Sequence, residues 1–169
     1  MSLSMHRISV PVFIRFLTSL SKILNKASTH CEAHGIAPQT MLNMRLYPDM
    51  YTLIQQVNET LRYATAAVAY PAGLAEPVLV GGTDSFAALQ ARIEEGIAFL
   101  QGVSADMIDG REDKSIVIPF HEGRRSFRAE DFVIEFCLPG FFFHLTIAYG
   151  ILRHGGVEIG KADFRGEAA

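Results

Sequence analysis

The chain has 169 residues, of which 49% are apolar and 20% charged, with a formal net charge of −3 at pH 7. A domain of this length buries roughly two thirds of its unfolded surface without metal or disulfide staples, so one domain spanning 1–169 is expected. The composition excludes a disordered chain and a strongly basic nucleic-acid binder.

Two cysteines, Cys31 and Cys137, lie far apart and make no CxxC pair. That spacing argues against a disulfide framework or a thiolate zinc site and favours a reducing, cytoplasmic setting. The N-terminal "MHRISVPVFIRFLTSL" is as apolar as a signal peptide, but Pro11 and Arg15 interrupt it and no small-residue cleavage site follows. It is expected to be the first helix. No apolar run is expected to reach the roughly 20 residues that cross a bilayer, so no membrane partner is expected either.

At about 100° per residue, Phe13, Phe16, Leu17, Leu20, Leu24, Ala27 and Cys31 fall on one stripe. This predicts a helix from about Pro11 to His34, stopped by Gly35 and Pro38. A second helix is expected to open at "YPDM", with Pro48 in its first turn and Asp49 at the positive end of its dipole. Its stripe is Met50, Leu53, Ile54, Val57, Leu61, Ala64 and Val68. "YPAGLAEPVLVGGT" then reads as a crossover, and Thr83 or Asp84 as the cap of a third helix bearing Phe86, Leu89, Ile93, Ile97 and Leu100. Alternating Ile116, Ile118 and Phe120, followed by "HEGR", predict a small β-hairpin. The last helix is expected from about Ala129 to His154, with Pro139 bending or dividing it. The fold class is therefore all-α: a four-helix bundle with a hairpin before its last helix.

"HCEAH" places His30 and His34 on one helical face, a spacing used by zinc hydrolases. Those enzymes need glutamate directly after the first histidine, where this chain has Cys31, and the HxE of zinc deaminases needs a downstream PCxxC that Cys137 does not supply. The segment reads instead as the end of a packed helix, with Cys31 and His34 inside the stripe. His144 is the better candidate, because it falls among Phe141, Leu145, Ala148, Ile151 and Leu152 on the expected buried face of the last helix. It is either a core histidine satisfied by another helix or a functional group. Asp49, Gln56 and Thr60 flank the second helix's stripe, where they could border a cleft or simply be solvated. Arg124, Arg125 and Arg128 read as a solvated face of the hairpin. The run Phe141, Phe142, Phe143 points in three directions, so the helix is expected to be covered nearly all round, in part by a second copy.

The stretches "RLYPDMYTLIQQV", "ALQARIEEGIAFL" and "FFFHLTIAYGILRHGGVEIGKADF" resemble an uncharacterised bacterial domain-of-unknown-function family, DUF1993, in the DinB/YfiT-like metalloenzyme superfamily. The resemblance covers nearly the whole chain. It implies an up-down-down-up bundle, often dimeric, whose members bind a divalent metal, zinc or nickel, through one histidine on the second helix and an HxxxH pair on the last. Placed on that pattern, His144 is the pair's second histidine, Gly140 stands at the first, and Gln56 is the nearest polar residue on the second helix. The implied metal site is degraded or absent, with His144 the one matching ligand. The expected pocket is Asp49, Gln56, Phe141 and His144. The expected function is that of a dimeric small-molecule-binding or structural protein. The alternative is a metal-assisted, thiol-dependent transferase or isomerase using His144 as ligand or general base.

Overall fold

The computed structural model describes residues 3–79, 82–120 and 123–167. Ser4 caps the first helix by accepting from the Arg7 N–H, so α1 runs Met5–His34 and begins well before the expected Pro11. Pro11 is accommodated on an exposed face near the N-terminus of α1, at the cost of one backbone hydrogen bond. Gly35, at φ 63°, closes the helix by donating to the Cys31 and Glu32 carbonyls.

A short α2 (Pro38–Leu42) follows, and the second long helix, α3, runs Leu53–Ala72. The expected start at Pro48 and Asp49 is corrected: both lie in the turn before α3. Thr52 sets the start through a reciprocal capping box, its hydroxyl accepting from the Gln55 N–H while the Gln55 side chain accepts from the Thr52 N–H at 2.8 Å. Thr52→Ala is expected to cost about 1 kcal/mol. Urea denaturation should show a lower midpoint with an unchanged slope. Likewise Ser85, not Thr83 or Asp84, caps α4 (Phe86–Gln101) by accepting from the Ala88 N–H.

After α5 (Ala105–Ile108), β1 (Ser115–Phe120) pairs antiparallel with β2 (Gly123–Arg128), with Ile116 opposite Phe127. His121 and Glu122 of the expected turn lie outside the described residues. Ile116 and Ile118 are buried while Val117 is exposed, which gives the strand its alternation. The segment leading into the hairpin is tied to the C-terminus of α3. Lys114 Nζ donates to the Tyr70 and Pro71 carbonyls, and Arg111 donates to the Ala72 carbonyl. Cations there also meet the negative end of the α3 dipole.

The last long helix is α6 (Ala129–Asp131), a π-helical segment Phe132–Cys137, and α7 (Leu138–His154) in succession. The disturbance expected at Pro139 thus takes the form of wider turns just before it. A proline lacks its N–H and crowds the carbonyl four residues back, here that of Glu135, and a π segment accommodates both faults without breaking the helix. The tail folds back through α8 (Lys161–Arg165) onto α1, where Lys26 pairs with Asp163 at 2.6 Å.

The protein is mostly helical with one small antiparallel sheet. α1 packs on α4, α3 on α7, and α3 also meets α1 and α4. The shared core contains Phe13, Leu17, Leu61, Phe132 and Phe141, each essentially without solvent exposure. Contrary to expectation, two segments, Met5–His34 and Ala129–His154, are long and apolar enough to cross a bilayer. Here the apolar stripes of both, including Leu20 and Leu24 of the first and Leu145 and Ile151 of the second, are buried in that core.

Candidate functional site

Gln56 is buried on the first turns of α3, and His144, half-buried on α7, faces it across the helix pair. His144 Nδ1 lies 2.7 Å from Gln56 Oε1. The amide's other end, Nε2, donates to the Tyr51 carbonyl at 3.3 Å. That contact fixes the amide's orientation, because a flipped amide would set its oxygen against the Tyr51 oxygen. Nδ1 therefore carries the proton and donates, and Nε2 carries the lone pair. Among the described residues no buried side-chain nitrogen or oxygen lacks a partner and Nε2 has none, so it opens to the cleft.

The cleft has a volume of about 400 Å³. The His144 ring lies near-parallel to Tyr51 and Tyr63, at centroid distances of 6.1 and 5.5 Å. Phe136 from the π segment and Ile118 and Pro119 from β1 supply the apolar wall. Glu59 and Arg62 form the polar wall, with Arg62 Nε and Nη2 donating to one Glu59 oxygen at 2.8 and 2.6 Å. Two further hollows, of about 130 and 230 Å³, share Arg62 with the cleft.

Burial holds His144 below the ordinary histidine value, with Glu59 opposing this effect and Arg62 adding to it. The ring is thus neutral near pH 7. Its Nε2 is a hydrogen-bond acceptor and a mild general base whose conjugate acid keeps the Nδ1–H bond to Gln56. Because the unfolded chain binds the proton more readily, this group's contribution to stability is complete above about pH 6.5. It declines as pH falls from there toward the lower folded value. His144→Leu is expected to flatten that part of the stability–pH curve, measured by urea denaturation between pH 5 and 8.

The expected site residues part company here. Gln56 and His144 come together, but Asp49 is exposed in the turn before α3 and does not line the cleft. Phe141 is fully buried on the core side of α7, edge-on to Phe13 at 4.8 Å, and does not line the cleft. Thr60 is buried rather than solvated, its hydroxyl donating to the Gln56 carbonyl at 2.8 Å. Sequence reading missed Tyr51, Glu59, Arg62, Tyr63 and the hairpin wall. A signal existed for part of this, since Gln56, Glu59 and Tyr63 recur at i, i+3 and i+7 along one flank of α3.

His30 and His34 border a broader hollow of about 500 Å³ between the end of α1 and Val157. Their rings stack at 4.2 Å, and His34 Nδ1 donates to the His30 carbonyl of its own helix. His34 is exposed, not within the buried stripe, whereas Cys31 is packed inward as expected. Burial raises the thiol value of both cysteines, most strongly at Cys137, which leaves both unreactive. Arg128 pairs with Asp113, Glu130 and Asp131, and Arg125 lies over the Phe127 ring at 4.7 Å, so these two hairpin arginines are not simply solvated.

The residues at the cleft do not fit a resident metal. At Gly140 an added Cβ would lie 2.5 Å from a carbon of the Tyr63 ring, so tyrosine fills the space of any side chain from that position. Gln56 engages His144 directly, with its amide nitrogen turned away to Tyr51. Among the described residues, no three His, Cys, Asp or Glu side chains converge as a metal cage would require.

The crystal structure of a DinB family member protein from Shewanella denitrificans superposes with a TM-score of 0.88 at 32% identity, over 96% of this chain and 92% of that one. No functionally curated protein matches the chain. The family profile described as "Domain of unknown function (DUF1993)" matches residues 5–165, and the chain belongs to that family, within the DinB family.

Proposed function

We propose that this protein binds a small molecule in the cleft between α3 and α7 and does so without a metal. The carrying observation is the chain from the Tyr51 carbonyl through Gln56 to His144, which locks one tautomer and leaves Nε2 open to the cleft. A core histidine that served packing alone would have no reason to present an unpartnered acceptor to a cavity of ligand size. The tight meeting of Gly140 and Tyr63 supports the absence of zinc or nickel. The four long helical segments, α1, α3, α4 and α6–α7, constitute the up-down-down-up bundle.

A homodimer is the second part of the proposal. Phe143 is exposed on α7, and Leu46, also exposed, packs over Gly150 two turns further along the same face. This supports an apolar contact between copies beside the cleft. Two free, buried cysteines agree with a reducing cytoplasm, and the net charge of −3 with action away from nucleic acid. Burial of both long apolar stripes agrees with action away from membranes.

The test is a fragment screen by protein NMR on chelator-treated protein. Hits should shift Tyr63, Phe136 and His144 signals without added metal. Binding that appears only when zinc or nickel is restored, with stoichiometric metal lost in His144→Ala but kept in His30→Ala, would overturn the reading. It would favour metal-assisted, thiol-dependent transfer instead.

A further inference from the structure

Resting on the cleft reading above, we propose a ligand class: a neutral, flat molecule of the phenol type, its O–H donated to His144 Nε2 and its ring set against Tyr63 and Phe136. The apex of the cleft demands a donor. With Nδ1 committed to Gln56 and the imidazole neutral, Nε2 accepts one hydrogen bond and offers none.

The walls refuse net charge of either sign. A carboxylate or phosphate brought to Arg62 meets Glu59, which already takes two of the guanidinium's N–H groups on a single oxygen. A cation seeking the aromatic faces meets guanidinium groups already there. Arg62 lies 4.4 Å from the Tyr63 centroid, and Arg125 lies 4.7 and 5.9 Å from those of Phe127 and Phe136. A charged ligand would have to displace one of these pairs, whereas a neutral one disturbs none of them.

Shape points the same way. The Tyr51 and Tyr63 rings lie near-parallel to the imidazole, at interplanar angles of 17° and 23°, which suits a flat body. The volume of about 400 Å³ accommodates one or two rings. The adjoining hollow of about 130 Å³ shares Ile118, Pro119, Phe136 and Arg62 with the cleft, is also lined by Tyr70 and Glu76, and has room for a short substituent under the hairpin.

Phenol, anisole and benzoate test the assignment on the full chain, by chemical-shift titration at pH 7.5. Phenol and anisole share the ring but differ in the donor, and benzoate carries the charge. Phenol is expected to bind about five- to tenfold more tightly than anisole, the worth of one hydrogen bond. It alone should shift the His144 Nε2 resonance, a readout that needs no variant. In His144→Leu the preference should vanish while anisole binding persists. Equal binding of phenol and anisole at the cleft would overturn the ligand class yet leave the cleft a binding site. Tighter binding of benzoate would overturn it in favour of Arg62 as an anion anchor. If none of the three perturbs the cleft, the ligand class fails, and fragments of other kinds binding there in the screen above would still uphold the broader reading.

Discussion

Phe141→Ala is expected to destabilise the protein by about 3–5 kcal/mol, the usual cost of deleting a buried phenylalanine. Phe141 has no solvent exposure and sits edge-on to Phe13 on α1 and to Phe142 beside it. Its ring therefore joins the last helix to the first, and the void left by alanine would be lined by α1 and α7 together. For a chain of this length the melting temperature should fall by about 10 °C or more. The neighbouring exposed Phe143→Ala should change it little. This contrast checks the assignment of Phe141 to the core instead of the pocket, since a pocket phenylalanine would cost binding more than stability.

Gly140→His would restore the HxxxH spacing, and it is expected to fail as a metal site. The first atom of the new side chain already falls 2.5 Å from Cε1 of Tyr63, far inside contact distance, and that ring is itself packed against Phe136 and His144. The overpacking should cost about 1–3 kcal/mol. Thermal melts with and without zinc should show a lower transition that metal does not rescue. Adding Tyr63→Ala to Gly140→His should recover part of the loss, because the two positions are in contact and their effects do not add. A stable Gly140→His protein that takes up stoichiometric zinc unaided would mean that Tyr63 does not close the site.

The helices were legible because their stripes are local: Leu53, Val57, Leu61, Ala64 and Val68 recur at helical spacing and are all buried. Their starts were less so. "YPDM" carries a proline and an acid in the right order, yet the Thr52–Gln55 box three residues on satisfies two backbone groups and prevails. Half of the site was readable for a similar reason. Gln56 and His144 each stand out as polar residues beside an apolar stripe, whereas Phe141 and His144, three apart on one helix, face the core and the cleft respectively. The π segment beside them is a feature that a wheel of fixed pitch does not contain. The wall from Ile118 and Pro119 depends on the hairpin folding over α3, held by Lys114 and Arg111 on distant carbonyls, and no local pattern encodes that.

Burial keeps His144 neutral, and Gln56 holds its proton on Nδ1 with Nε2 open to the cleft. Long-range ¹H–¹⁵N correlation of the imidazole side chains across pH 5 to 8 tests this arrangement directly. His144 is expected to be an Nδ1–H tautomer titrating below the ordinary histidine value, and Gln56→Leu to scramble the tautomer while the fold is retained. A Nε2–H tautomer, or a His144 that titrates at or above pH 6.5, would contradict this arrangement.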